Sequence, residues 1–172
     1  MLVHEPVIFE RYGVASFIFK EFPEDNIECV MTRCEKYLDR NSRNPETIFA
    51  GIEDDCIRRD LTINALYYNI STGEIVDMVG GLNDIENKII RTTNENPDIV
   101  FDDDPLRVCR VVRFSARYGW EIDPKTYASM KKYVDRLEII SKERIKDEFN
   151  KILLSDNASM GIRMLCDIGA MK

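Results

Sequence analysis

The chain has 172 residues, 24 lysines and arginines against 31 aspartates and glutamates, a net charge of −7 and an apolar fraction of 44%. That suits one sizeable domain or two small ones sharing a core, and it excludes a disordered chain and a general nucleic-acid binder, because an anionic ligand must be held by local arginines against the overall field. Apolar runs such as VASFIF fall far short of the roughly 20 residues that cross a bilayer, and Met-Leu-Val at the start lacks the pattern of a signal peptide.

The five cysteines, Cys29, Cys34, Cys56, Cys109 and Cys166, are odd in number and form no C-x-x-C pair. They read as reduced thiols of a cytoplasmic protein rather than as a disulfide frame or zinc site. One histidine, His4, leaves no basis for a histidine-rich metal site or an internal Ser-His-Asp triad.

In chain order, VASFIFK (Val14–Lys20) reads as a buried strand and FPEDN as a turn. NIECVMTR (Asn26–Arg33) alternates, with Ile27, Cys29 and Met31 on one face and Glu28, Val30 and Thr32 on the other. DRNSRNPE (Asp39–Glu46) reads as a polar loop, and its Arg43 is a candidate for substrate contact or a spare surface cation. IEDDCIRRD predicts a short helix with acids in its first turn. ALYYNISTGEIVDMV predicts a hairpin, and GGLNDIENKIIRTT a Gly-Gly turn, a brief helix and a short strand.

Beyond Pro97 the periodicity becomes helical. Asp104-Pro105 reads as an N-cap with proline at the first helical position, opening a helix that ends at Gly119. Asp123-Pro124 repeats the device, Ser141 is placed as the cap of KERIKDEFNKILL, and ASMGIRMLCDIG makes a fourth helix. The fold class is therefore α+β, a small sheet followed by helices.

Arg107, Arg110, Arg113 and Arg117 are spaced by three, three and four residues. At about 100° per residue they form one stripe, with Val108, Cys109, Val111, Val112 and Ala116 roughly opposite. Stacked guanidinium groups repel unless anions lie between them. They suit either a ladder of ion pairs to the chain's own acids or an anionic ligand. Arg58 and Arg59 form a second cluster, and Asp104 stands one turn before Arg107. A carboxylate accepts from an exocyclic amino group while a guanidinium donates to a ring nitrogen. An Asp–Arg pair could thus accept adenine and cytosine and refuse guanine and uracil, with Arg110 and Arg113 reaching phosphates.

Four ordered motifs, RRDLTINAL (Arg58–Leu66), DMVGGLNDIENKIIRT (Asp77–Thr92), DDPLRVCRVVRFSARYG (Asp103–Gly119) and SKERIKDEFNKIL (Ser141–Leu153), closely resemble the class II tRNA nucleotidyltransferase (CCA-adding enzyme) and bacterial poly(A) polymerase family. The resemblance implies a partial nucleotidyltransferase head with a small mixed or antiparallel sheet over residues 1–97. An all-α neck carrying the nucleotide-template helix follows over residues 98–172. It also implies addition of C or A from CTP or ATP to the 3′ end of tRNA or another RNA, with Mg2+. The Asp-Asp-x-x-Arg pattern matches at Asp103, Asp104 and Arg107, implying base selection by Asp104 and Arg107. Arg59, Arg110 and Arg113 match arginines that contact the nucleotide, and Asp60 and Asn64 the motif that handles its sugar and phosphate side. Glu28 lines up with an acidic residue near the metal site and is the one catalytic and metal-ligand candidate.

Two family motifs are missing: the Gly-Gly turn with arginine that cradles the triphosphate, and the strand-borne Asp-x-Asp pair that holds the metals. Asp54-Asp55 and Asp102–Asp104 belong to helix starts and caps and do not replace them. Gly80-Gly81 reads as a turn without the following lysine of a phosphate loop, and Tyr67 and Tyr68 as packing residues. The chain is therefore expected to be truncated at both ends, inactive alone, and open to a second chain that supplies the missing head residues. The other readings are a non-catalytic nucleotide- or RNA-binding remnant and a helical module whose arginines meet an acidic partner. CCA, A-only, C-only and poly(A) addition share these motifs.

Overall fold

The computed structural model describes residues 5–10, 13–36 and 46–171. His4, Arg43 and the rest of the polar loop up to residue 45 lie outside the described residues.

The N-terminal part is an antiparallel sheet of β1 (Val7–Phe9), β2 (Val14–Phe19) and β3 (Phe22–Val30), with β2 in the centre. The expected turn at FPEDN is corrected. Lys20 and Glu21 make the turn, and β3 already begins at Phe22. The register then jumps from Phe19↔Phe22 to Ile18↔Asn26, an irregularity that accommodates Pro23 on a strand with one hydrogen-bonded side. All of β3 is exposed, and β2 is only half-buried rather than the buried strand expected. A two-stranded ribbon of β4 (Arg33–Lys36) and β5 (Glu46–Phe49) follows.

Helix α1 (Ile52–Ile57) carries Glu53, Asp54 and Asp55 in its first turn, as expected. A 3-10 turn, Thr62–Asn64, leads into the predicted hairpin of β6 (Leu66–Asn69) and β7 (Glu74–Asp77), paired Leu66↔Asp77. The Gly-Gly turn opens α2 (Gly81–Asn87). There the Asp77 carboxylate accepts from the backbone N–H groups of Val79, Gly80, Gly81 and Leu82 at 2.8–3.2 Å. A Cβ on Gly81 would lie 2.4 Å from the Thr62 carbonyl oxygen. Glycine is what lets α2 sit against the 3-10 turn.

Strand β8 (Ile89–Ile90) pairs in parallel with β9 (Glu121–Ile122). Residues 98–172, expected to be all-α, therefore include one short strand. The first helix of this part, α3 (Pro97–Asp103), was not among those expected. Asn96 caps it by accepting from Asp98 N, and Pro97 occupies its first turn. Asp104 consequently ends α3 instead of opening the next helix, and α4 runs Arg107–Tyr118, closed by Gly119 in the left-handed conformation (φ 69°). Helix α5 (Pro124–Tyr133) is capped by Asp123 as predicted and runs into a 3-10 segment, Val134–Ile139. Helix α6 (Lys142–Leu153) has Ser141 at its cap position, though the hydroxyl makes no capping bond, and α7 (Ala158–Asp167) follows.

The core is built around α4. Val108, Val111, Val112 and Ala116 are fully buried with Phe101, Met130 and Ile152, and Leu61 and Ile90 join them from the head side. Burying one such aliphatic side chain contributes about 1.5–3 kcal/mol, which fixes α4 against α6 and α7. No described helix is long and apolar enough to cross a membrane.

Candidate functional site

Where α4 meets the segment after α1, an open cleft of about 650 Å³ forms. The head side supplies Arg58, Arg59, Asp60 and Asn64. The helical part supplies Arg107, Arg110 and Phe114 from α4, with Asp104 and Leu106 ahead of it, and Arg144 from α6. Five arginines face two aspartates there, so the cleft suits an anion although the whole chain is acidic.

The head arginines are fixed from behind by Asp55, which is 2% exposed. One carboxylate oxygen accepts from Arg58 (Nη2 at 2.5 Å, Nε at 2.9 Å) and from Arg33 N at 3.2 Å. The other accepts from Arg59 (Nη2 at 2.9 Å, Nε at 3.1 Å) and from the Tyr67 hydroxyl. Burial alone would raise the Asp55 pKa. The bonds from Tyr67, Arg58, Arg59 and Arg33 outweigh it and bring it to about 2. Burial, reinforced by the bond to Asp55, pushes the Tyr67 hydroxyl up to about 12. Arg59 also lies over the Tyr67 ring, 5.0 Å from its centre, and donates to Asn64 O at 2.9 Å. Tyr67 thus both packs and holds Arg59, whereas Tyr68 is exposed.

Asp60 is buried and bridges the segment after α1 to α4. Its Oδ2 accepts from Arg110 Nε at 2.6 Å, and its Oδ1 accepts from Leu61 N at 2.9 Å and from the Asn64 amide at 3.3 Å. Burial works to raise its pKa. Arg110, Asn64 and the charge of Arg107 prevail and hold it below the ordinary carboxylate value. Arg107 spans the same junction, donating from Nη2 to Arg58 O at 2.7 Å and from Nη1 to Val100 O at 3.4 Å. Asp104 accepts from Leu106 N at 3.1 Å and from Arg144 Nη2 at 2.8 Å.

Seven of the eight expected site residues thus have a definite place near one another or near α4, with one division. Arg59, Asp60, Asn64, Asp104, Arg107 and Arg110 line the cleft together. Arg113 does not. It is 9% exposed, its Nε donates to Glu148 at 2.6 Å, and its guanidinium lies 4.1 Å from the centre of the Phe114 ring. With Arg117 it borders a separate hollow beside Lys151. The single cationic stripe is therefore split in two, because α6 crosses α4 at Glu148. Glu28 sits exposed on β3, paired with Ser16, and is not among the residues that line the cleft. Asp102 is paired with Arg136, and no group of three or more potential metal ligands stands together among the described residues.

A second cleft, of about 540 Å³, surrounds Arg91, which pairs with Asp84 at 3.1 Å and Asp123 at 3.3 Å. Its lining sets Arg91 and Lys125 against Asp84, Glu95 and Asp123. It lacks the positive excess of the first.

Comparison with known families places residues 5–91 in the Poly A polymerase head domain and residues 119–172 in the probable RNA and SrmB-binding site of polymerase A. The chain belongs to the poly(A) polymerase and CCA-adding nucleotidyltransferase family. Among family relatives, it is 44% identical to the Multifunctional CCA protein of Acinetobacter baumannii (strain AYE) over 127 residues, covering 71% of this chain and 30% of that protein. It is 37% identical to the mitochondrial CCA tRNA nucleotidyltransferase of Saccharomyces cerevisiae, covering 81% of this chain and 26% of that one. The Bacillus stearothermophilus CCA-adding enzyme in complex with CTP superposes with a TM-score of 0.83 at 26% identity, over 97% of this chain and 39% of the enzyme. The chain thus spans well under half the length of these family members.

Three side chains that hold the arginines and aspartates of this region, Asp55, Arg144 and Glu148, are not singled out by the sequence reading. Asp55 had a visible signal, since Arg58 and Arg59 follow it by three and four residues on one helical turn. Arg144 and Glu148 had none, because each meets its partner across 40 and 35 residues of chain.

Proposed function

We propose that the cleft between α1 and α4 binds ATP or CTP and serves a nucleotidyltransferase that adds C, A or both to the 3′ end of tRNA or another RNA in the cytoplasm. The observation that carries this reading is the convergence of five arginines and Asp104 on one cleft of an acidic chain. The base lies at Asp104 and Arg107. The Asp104 carboxylate keeps lone pairs beyond its two present bonds, and each Nη of Arg107 keeps a second hydrogen. An amino group beside a ring-nitrogen acceptor satisfies both, as adenine and cytosine do. A carbonyl beside a ring N–H, as in guanine and uracil, opposes oxygen to carboxylate. Arg59 and Arg110 hold the phosphates, and Asp60 and Asn64 the sugar side. Arg113 supports Arg110 through the shape of α4 rather than by touching the nucleotide.

The Mg2+ implied by the family does not fit the residues described. Glu28 sits on an exposed strand, no group of three or more potential metal ligands stands together among the described residues, and Asp55, Asp60 and Asp102 are engaged by arginines. On this reading the described residues select a nucleotide, and transfer calls for metal-holding carboxylates beyond them.

Thermal unfolding in the presence of ATP, CTP, GTP or UTP tests the reading. ATP and CTP are expected to stabilise the protein selectively, by mass action on the folded state. An equal response to all four nucleotides, or none, would overturn base selection at Asp104 and Arg107 and favour an arginine surface for an acidic partner.

A further inference from the structure

Asp104 belongs to neither of the helices that flank it. It ends α3 in an extended conformation (φ −144°, ψ 102°), two residues before the cap of α4. No helical turn therefore dictates where its carboxylate points. Two hydrogen bonds do: Oδ1 to Leu106 N, and Oδ2 to the guanidinium of Arg144. The first is local and leaves the group free to rock about it. The second comes from the first turn of α6, 40 residues on, and completes a two-point hold.

The Arg144–Asp104 pair has little to do with stability. The Arg144 side chain is 51% exposed and that of Asp104 22%, and such surface pairs contribute about 0.2–1 kcal/mol. Yet Arg144 lines the same cleft as Arg107 and Arg110. Arginine is also suited to orienting a carboxylate, because its planar fork is always charged and offers only donors.

We propose that Arg144 is a specificity-determining positioning residue: it fixes the Asp104 carboxylate so that a free lone pair faces the amino group of adenine or cytosine. The inference rests on the reading of Asp104 as base selector given above. Loss of Arg144 leaves the phosphate holders Arg59 and Arg110 in place. It therefore erodes the choice among bases more than the affinity for triphosphate.

The test measures dissociation constants of the four nucleoside triphosphates for the wild type, Arg144→Ala, Arg144→Lys, Asp104→Ala and the double variant Arg144→Ala/Asp104→Ala. Arg144→Ala is expected to lower the preference for ATP and CTP over GTP and UTP by roughly tenfold, the scale of one hydrogen bond to a charged group, with an unfolding midpoint close to that of the wild type. Arg144→Lys should restore part of the preference. The double variant should discriminate no worse than Asp104→Ala, because both changes remove one interaction. An unchanged preference in Arg144→Ala sinks the proposal, as does additive loss in the double variant or a uniform loss of affinity for all four nucleotides. If Arg144→Ala does not fold, Arg144→Lys decides: a preference between that of the wild type and that of Asp104→Ala supports positioning by the fork, and a preference equal to the wild type's contradicts it. Should the wild type itself show no preference, the base-selector reading fails first and this inference falls with it.

Discussion

Arg110 and Arg113 stand three residues apart on one helix, yet they do opposite work. Arg110 is a third exposed, faces the cleft and meets Asp60 of the head. Arg113 is buried under α6, sandwiched between Glu148 and the Phe114 ring. The same residue type on the same face becomes a cleft-lining group or a packing element according to what crosses it. A sequence stripe shows where cations are aligned. It does not show where the alignment is interrupted.

The contrast can be broken most forcefully at Glu148. Glu148→Ala leaves the Arg113 charge buried without its carboxylate, so urea unfolding should show a loss of about 3–5 kcal/mol, while folded protein keeps its preference among nucleotides. A variant that kept its stability would mean that Arg113 is not the structural member of the pair. Arg110→Ala should act in the opposite sense. Calorimetric titration is expected to show at least a tenfold weaker affinity for all four nucleoside triphosphates with their ratio unchanged. A change of ratio would make Arg110 a base reader.

Acid sharpens the comparison at the head side of the cleft. Asp55 titrates at about 2 in the fold against an ordinary value of 3.8. Its contribution to stability is therefore complete above about pH 4 and disappears as the pH falls towards 2. The stability gap between wild type and Asp55→Asn should narrow across that window in acid unfolding. A gap independent of pH there would remove Asp55 as the anchor of Arg58 and Arg59.

The smallest effect is chemical. Cys109 lies beside Arg110 on the buried side of α4, and burial, with Glu148 and Asp104 nearby, pushes its thiol up to about 12. A thiol reagent added to native protein should modify exposed Cys29 and Cys166 and spare buried Cys56 and Cys109. Rapid labelling of Cys109 would show that this side of α4 opens.

Much of the helical part beyond Pro97 is legible because its punctuation is local. Asp123-Pro124 opens α5 and Gly119 closes α4 by effects confined to a few residues. The same rule applied to Asn96-Pro97 would have found α3. Asp104-Pro105 misled because Asp104 caps nothing beyond its own turn, while α4 starts at Arg107. FPEDN misled for a different reason: a strand bonded on one side tolerates proline, so composition pointed to a turn where the chain continues extended. The cleft residues Arg59, Asp60, Asn64, Asp104, Arg107 and Arg110 could be picked from motifs, but Arg113 could not be separated from them. Its partner Glu148 is 35 residues away, and only the crossing of α4 and α6 brings the two together.

A crystal structure of this chain with ATP tests the central claim most directly. The adenine amino group is predicted within hydrogen-bond distance of Asp104, its ring nitrogen against Arg107, and the phosphates against Arg59 and Arg110. ATP seated in the second cleft around Arg91, or with its base turned away from Asp104, would contradict the account.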